Sequence, residues 1–245
     1  MFTGIYKIAD ICIEINSIYE EVHLLCKEYV YDDQPQVIIT TNTEDVEFEK
    51  EKSNKDAELE GRVPYEYSDS YLETLAVYRK IAVALLDYDI LLFHGSVVAV
   101  EDEAFLFTAR SGVGKTTHSR LWLENIPGAY IVNGDKPLLK IIDNEVFAYG
   151  TPWQGKERYG TNCKVKLCSI CLIERSENNT IEKIDSKSML PHLIQQTYRP
   201  KNAESMLKTM YLLDILIKSI KFYCLHCNMD SEAALIAFKV MQKKQ

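Results

Sequence analysis

Ala-Phe-Leu-Phe-Thr-Ala-Arg-Ser-Gly-Val-Gly-Lys-Thr-Thr-His-Ser-Arg-Leu-Trp-Leu-Glu-Asn-Ile occupies residues 104–126. An apolar run of buried-strand character leads into a glycine-bearing turn, and the turn opens a helical pattern; this is the context a phosphate-binding loop requires. Gly112 and Gly114 permit backbone angles that let successive N–H groups face one anion. Lys115 adds a point charge for the β- and γ-phosphates of ATP, Thr116 offers a hydroxyl to Mg²⁺, and the helix directs its positive end at the phosphates. Arg110, Ser111, Gly112, Val113, Gly114, Lys115, Thr116 and Thr117 are therefore the expected nucleotide-binding residues. The strict pattern begins with glycine, and Ala109 stands in its place. A glycine-rich strand-to-helix turn with no ligand is the rival reading, and the flanking strand and helix favour the nucleotide site.

A chain of 245 residues that is 47% hydrophobic can bury one large core or two modest ones. A net charge of −8 with no basic run argues against nucleic acid or an anionic membrane as partner. No basic segment followed by a long apolar stretch opens the chain, so a soluble cytoplasmic protein is expected. The odd count of seven cysteines fits a reducing compartment. Cys168/Cys171 and Cys224/Cys227, with His226, suggest zinc by spacing alone. Both pairs lie in strand-like runs, where residues three apart face opposite sides and no Gly or Pro makes a knuckle turn; buried thiols are the favoured reading.

Outward from the loop, residues 5–15 read as a strand, 18–30 as a helix and 36–41 as a strand. Residues 44–60 are rich in acids and read as a solvated helix or loop rather than an acidic docking surface. Ser70 followed by Glu73 matches a capping box, opening a helix with a broad apolar face through Leu86. Residues 90–100 read as a buried strand broken by His94-Gly95-Ser96, forming a hairpin with residues 105–107. After the loop helix come strand patterns at 129–133, 138–142 and 146–149, a meander rather than strict strand–helix alternation. Further strands are read at 164–174 and 221–227, and helices at 186–198, 203–219 and 231–242. The order predicts an α/β protein with a mixed sheet: an N-terminal α/β extension at 1–89 packed on a catalytic P-loop domain at 90–245.

The motifs Phe93-His94-Gly95-Ser96, 109–116, and Val132-Asn133-Gly134-Asp135, spaced as they are, resemble the catalytic domain of HPr serine kinase/phosphorylase and its relatives. They fall within residues 91–174, about a third of the chain. The flanks at 6–89 and 191–241 also look like that group. Gly150-Thr-Pro-Trp153-Gln-Gly155-Lys156 is like a variant in HPr-kinase-like proteins, some thought to modify peptides. The resemblance implies a phosphoenolpyruvate-carboxykinase-like P-loop fold, with His94 beside the triphosphate and Asp135 handling Mg²⁺ and the acceptor hydroxyl. This sequence departs from the family where Gly134 replaces the first of two paired acids, where Thr117-His118 replaces Ser-Glu, and where residues 153–158 replace an arginine-containing loop. Those departures put HPr itself and phosphorylase activity in doubt.

Catalysis is thus expected from His94, Lys115, Asp135 and Lys156, and metal binding from Thr116 and Asp135. Phosphoryl transfer needs positioning and neutralisation of spread charge, so Lys156 is read either as a second cation or as a solvated lysine, with Arg158 a lesser candidate. Gly-Asp-Lys-Pro is also good turn chemistry for Asp135, but an acid ending the strand after the loop helix favours the metal role. His94 can be a satisfied core histidine; its setting favours the site. Trp153 stacks on a ligand or fills core, and His118 and Arg110 touch phosphate or face solvent. The expected activity is ATP- and Mg²⁺-dependent phosphoryl transfer to a hydroxyl, most simply a Ser or Thr of a small protein or peptide. A small-molecule kinase and a non-catalytic nucleotide-dependent switch are the alternatives, with a carboxykinase third; the oligomeric state stays open.

Overall fold

The computed structural model describes residues 1–59, 61–110 and 112–242, and its chain divides into two compact units, Met1–Ala84 and Leu85–Gln245. In the first unit β1 (Phe2–Ile8) and β2 (Ile11–Ser17) form an antiparallel hairpin, and β3 (Val37–Thr40) lies parallel to β2. The single strand expected over 5–15 is therefore broken. Ala9 and Asp10 both take positive φ, the signature of a two-residue turn whose twist suits a hairpin. The expected helix at 18–30 shrinks to α1 (Glu21–Leu25) and a 3₁₀ turn at Lys27–Tyr29.

The acidic stretch forms α2 (Thr43–Leu59), which buries Val46, Glu49 and Ala57. Arg79 and Lys80 of α3 (Asp69–Ala84) pair with its acids, Arg79 Nε standing 2.5 Å from Glu49 and Lys80 Nζ 2.6 Å from Asp45. α3 packs on α1, α2 and β3, burying Leu72, Ala76, Val77 and Ile81. The capping box is not formed. Ser68 caps the helix, its hydroxyl accepting from the Tyr71 amide at 3.3 Å. Ser70 donates to Glu21, and the Glu73 carboxylate accepts from the amides of Ile18 and Tyr19 and from the Thr41 hydroxyl at 2.7, 2.8 and 2.6 Å.

The second unit is built on a curled mixed sheet. Its strands are β4 (Ile90–Leu92), β5 (Ser96–Val100), β6 (Glu103–Thr108), β7 (Ala129–Asn133), β8 (Leu138–Ile142), β9 (Glu145–Tyr149), β10 (Lys164–Arg175), β11 (Thr180–Ile184) and β12 (Lys221–Cys227). Hydrogen-bonded neighbours run β4-β8-β9-β10-β6-β5-β7, with β12 also beside β10 and β11 beside β12. The expected hairpin is β5–β6, Ser96 opposite Phe107 and Val100 opposite Glu103. Residues 90–92 leave it to pair with β8. The expected meander is also corrected: β7 joins β5, while β8 and β9 run on to β10. Long β10 makes this possible, pairing β9 through Lys164–Lys166 and parallel β12 through Ser169–Arg175.

Alternate residues of each central strand face two separate cores, which is why these strands read as continuous apolar runs. Val97, Ala99, Leu106, Phe222 and Cys224 face α5 (Ser186–Gln196) and α6 (Ala203–Ser219) through Met189, Leu193, Leu212 and Leu216. Val98, Phe105, Phe107, Tyr223 and Cys227 face α4 (Lys115–Asn125) and α7 (Glu232–Met241) through Trp122, Ala233 and Ala237. Cys224 and Cys227 fall on opposite faces as their spacing requires. Cys168 does not obey the rule: the register shifts between Leu167 and Ser169, and it packs beside the same core as Cys171. All seven cysteines are free thiols. Among the described residues no helix is long and apolar enough to cross a membrane.

Candidate active site

β6 delivers the chain to the 109–114 loop, and α4 begins at Lys115. Gly112 and Gly114 adopt φ of +77° and +133°, and an added Cβ at either would meet nothing within 4 Å. Backbone conformation, not space, therefore demands glycine there. The loop is closed by the Val113 amide on the Arg110 carbonyl at 3.2 Å, and α4 starts with the His118 amide on the Gly114 carbonyl at 2.9 Å. Buried Ala109 takes the first loop position with its methyl inside the core that holds Trp122. Arg110, Thr116 and Thr117 are exposed and Lys115 half-buried. Ser111, an expected loop residue, lies outside the described residues.

Arg175, the last residue of β10, braces this loop. Its Nε donates to the Val113 carbonyl at 3.0 Å and its Nη2 to the Gly112 carbonyl. Among the described residues no peptide bond is cis, so the Gly114 amide, across a trans peptide from the Val113 carbonyl that Arg175 holds, points away from Arg175. Sequence reasoning missed this residue. The signal was a basic side chain ending a strand parallel to the one before the loop, visible only once the register of Leu172 against Thr108 is known.

His94 and Asp135 are brought together by backbone stitching. The Phe93 amide donates to the Pro137 carbonyl at 3.1 Å and the Gly95 amide to the Asp135 carbonyl at 3.0 Å. Their side chains meet with His94 Nε2 3.3 Å from Asp135 Oδ1. The turn that carries Asp135 is set by buried Asn133, whose Oδ1 accepts from the Asp135 and Lys136 amides at 2.9 and 2.7 Å. Asn133 Nδ2 donates to Thr151 Oγ1 at 2.9 Å and to the Trp153 carbonyl at 3.3 Å, so one side chain registers this turn against the 151–160 loop.

That loop runs over Asp135. A Cβ at Gly155 would come within 2.9 Å of the Asp135 Cβ, and one at Gly134 within 3.2 Å of the Gln154 and Tyr159 carbonyl oxygens. Lys156 follows Gly155 in this loop and is exposed; Arg120 of α4 ties the loop down through Glu157 at 3.0 Å. Trp153 is buried, which decides its open reading in favour of core.

The electrostatics follow from the packing. Burial alone would raise the Asp135 carboxyl, but the His94 hydrogen bond and the charges of Lys136, His94 and Lys115 hold it below its usual range. Burial pulls the Lys115 ammonium down while the Asp135 charge opposes that pull. Lys115 and Asp135 are thus electrostatically coupled beside the loop, with His94 hydrogen-bonded to the Asp135 carboxylate.

His118 does not face solvent. It lies under α4 at 2% exposure, edge-on to Phe107, with Nε2 accepting from Trp122 Nε1 at 3.0 Å. Nε2 as acceptor leaves the proton on Nδ1, a buried donor without a partner. Burial drives its pKa from 6.5 to about 3. An unfolded chain binds this proton near pH 6.5 and the folded one does not, so stability is full above that pH and is lost as pH falls towards 3. Urea unfolding at pH 7 and pH 5 should differ by about 2 kcal/mol through this residue. His118→Gln should remove that difference, and an unchanged pH dependence would place the loss elsewhere.

No protein-family model matches the chain, and no curated sequence matches it. Among solved structures it is similar to the HPr(Ser) kinase/phosphatase from Coxiella burnetii, at 12% identity over 59% of this chain and 90% of that one, with a TM-score of 0.33.

Proposed function

We propose that this chain is an ATP- and Mg²⁺-dependent phosphotransferase acting on a hydroxyl, with the Ser or Thr of a small protein or peptide as acceptor. The observation that carries the reading is the meeting of an ionised Asp135, His94 and Lys115 at the mouth of a loop that opens a helix. In this reading residues 90–245 form a phosphoenolpyruvate-carboxykinase-like P-loop domain of a cytoplasmic enzyme, and residues 1–89 an extension. The amides of residue 110 and residues 112–117 cradle the phosphates, and Arg175 holds the Gly112 and Val113 carbonyls away from them. Lys115 and His94 sit by the γ-phosphate. Lys156 is the second cation, carried by the loop that lies against Asp135.

The donor set fits magnesium: a carboxylate held in its charged form and the exposed Thr116 hydroxyl one residue after Lys115. When bound, Mg²⁺ would neutralise charge on the β- and γ-oxygens. Asp135 accepts the acceptor's proton as the new O–P bond forms and the bond from the γ-phosphorus to the bridging oxygen breaks, leaving ADP.

One observation favours a second reading, a nucleotide-dependent switch without transfer. Gly134, the place of a first paired acid, is covered by two backbone carbonyls, so only one carboxylate serves the turn. The test is ATP-dependent thermal stabilisation with and without Mg²⁺, followed by γ-labelled ATP with peptides and metabolites of the source cell. Label in an acceptor and loss of ATP stabilisation by more than about tenfold in affinity in Lys115→Met support the kinase. Mg²⁺-dependent binding without label supports the switch, and no binding sinks both.

A further inference from the structure

A second cluster of metal-binding groups lies outside the nucleotide site, on the strand triplet β10, β12 and β11. Parallel pairing sets Glu174 beside His226, and antiparallel pairing sets Glu182 beside Cys224. Cys224 and His226 are two apart on one strand, so all four side chains rise from one face. Cys224 Sγ lies 3.7 Å and Glu182 Oε1 3.9 Å from His226 Nε2, and Glu174 Oε2 lies 3.4 Å from Nδ1. One ligand atom from each of Glu174, Cys224 and His226 falls within 4.8 Å of the others. A tetrahedral zinc with bonds of about 2.0–2.3 Å holds its ligand atoms about 3.3–3.8 Å apart; Cys224 and Glu182 already face Nε2, and the Glu174 carboxylate, now on Nδ1, would have to swing to the Nε2 side to share one centre.

We propose that Glu174, Cys224 and His226, with Glu182 as fourth ligand, form a zinc site that straps β11 and β12 to the end of β10. A thiolate and an imidazole select a borderline cation of the zinc class over magnesium or calcium, which prefer all-oxygen sets. The two carboxylates and His226 stand at the solvent edge, which gives an entry path, and Cys224 supplies the buried anchor. The set is not a Cys-x-x-Cys site: Cys227 and Cys171 face the other core. The ligand face also shares its strand end with Arg175, so the strap would anchor the segment that braces the phosphate loop.

The test uses the metal-stripped full chain titrated with Co²⁺. One Co²⁺ per chain should bind with a near-ultraviolet thiolate-to-cobalt charge-transfer band that Zn²⁺ bleaches, and Zn²⁺ should raise the thermal midpoint. Cys224→Ser should abolish the band, while Cys227→Ser keeps it. Glu174→Gln and His226→Gln, at the solvent edge, should each weaken Zn²⁺ binding by at least about tenfold and keep the test decisive if Cys224→Ser fails to fold. Absence of the band, or Zn²⁺ affinity unmoved by these two variants, overturns the proposal. Asp135→Asn should leave the band intact, so the outcome is separate from that of the phosphotransferase reading.

Discussion

Asp135→Asn should still bind ATP and should lose phosphoryl transfer by roughly 10³-fold or more, the scale seen when a charged group serving the transition state is removed. The substitution preserves shape. Asn133 fixes the turn through backbone amides, so the loop has no cause to move. What changes is charge: His94 loses the carboxylate 3.3 Å away, and Lys115 loses the charge that opposes its burial. The Lys115 pKa should therefore fall further, and the activity that survives should require higher pH to lose the acceptor's proton. Parallel titrations of ATP-dependent thermal shift and labelled-phosphate transfer separate the roles. Transfer at the wild-type rate would remove Asp135 from the chemistry. Equal loss of binding and transfer would make it a binding residue only.

The parts legible in the sequence were those where local pattern and tertiary need coincide. The loop at 109–116 is one, because glycine is demanded by backbone angle and the strand before it is buried on both faces. α6 and β12 are others, each bounded by the residues the periodicity selects. The failures share a cause in long-range pairing. Nothing local says that β7 leaves the meander for β5, that β4 leaves its hairpin for β8, or that β10 carries β9 and β12 in succession. Arg175 and the Glu174–Cys224–His226 cluster depend on that pairing and were hidden with it. Asn133 was visible within a motif, but its tie to Thr151 and Trp153 needs the fold. His118, polar and next to the loop, was open between touching phosphate and facing solvent; helix phase buries it instead, one residue after exposed Thr117 and bonded to Trp122.

Glu73 offers the sharpest contrast between a local motif and a tertiary one, and Glu73→Ala should cost the first unit about 3–5 kcal/mol. A capping-box glutamate is exposed, bonds one amide of its own helix, and is replaced by glutamine with little loss. Glu73 is fully buried, and its two oxygens accept three donors from segments 55, 54 and 32 residues away in sequence. Glutamine has one acceptor oxygen, so whichever way its amide turns an NH₂ faces a buried donor. Glu73→Gln should therefore destabilise by about 1–3 kcal/mol despite its near-identical shape. Urea unfolding, read with hydrogen exchange at the Ile18 and Tyr19 amides, measures it. Both amides should lose protection in Glu73→Ala, and at least one of them in Glu73→Gln, which keeps a single acceptor oxygen. A Gln variant as stable as wild type would return Glu73 to the helix cap; a loss of the expected size makes it the buried anchor that joins α3 to the segments after β2 and β3.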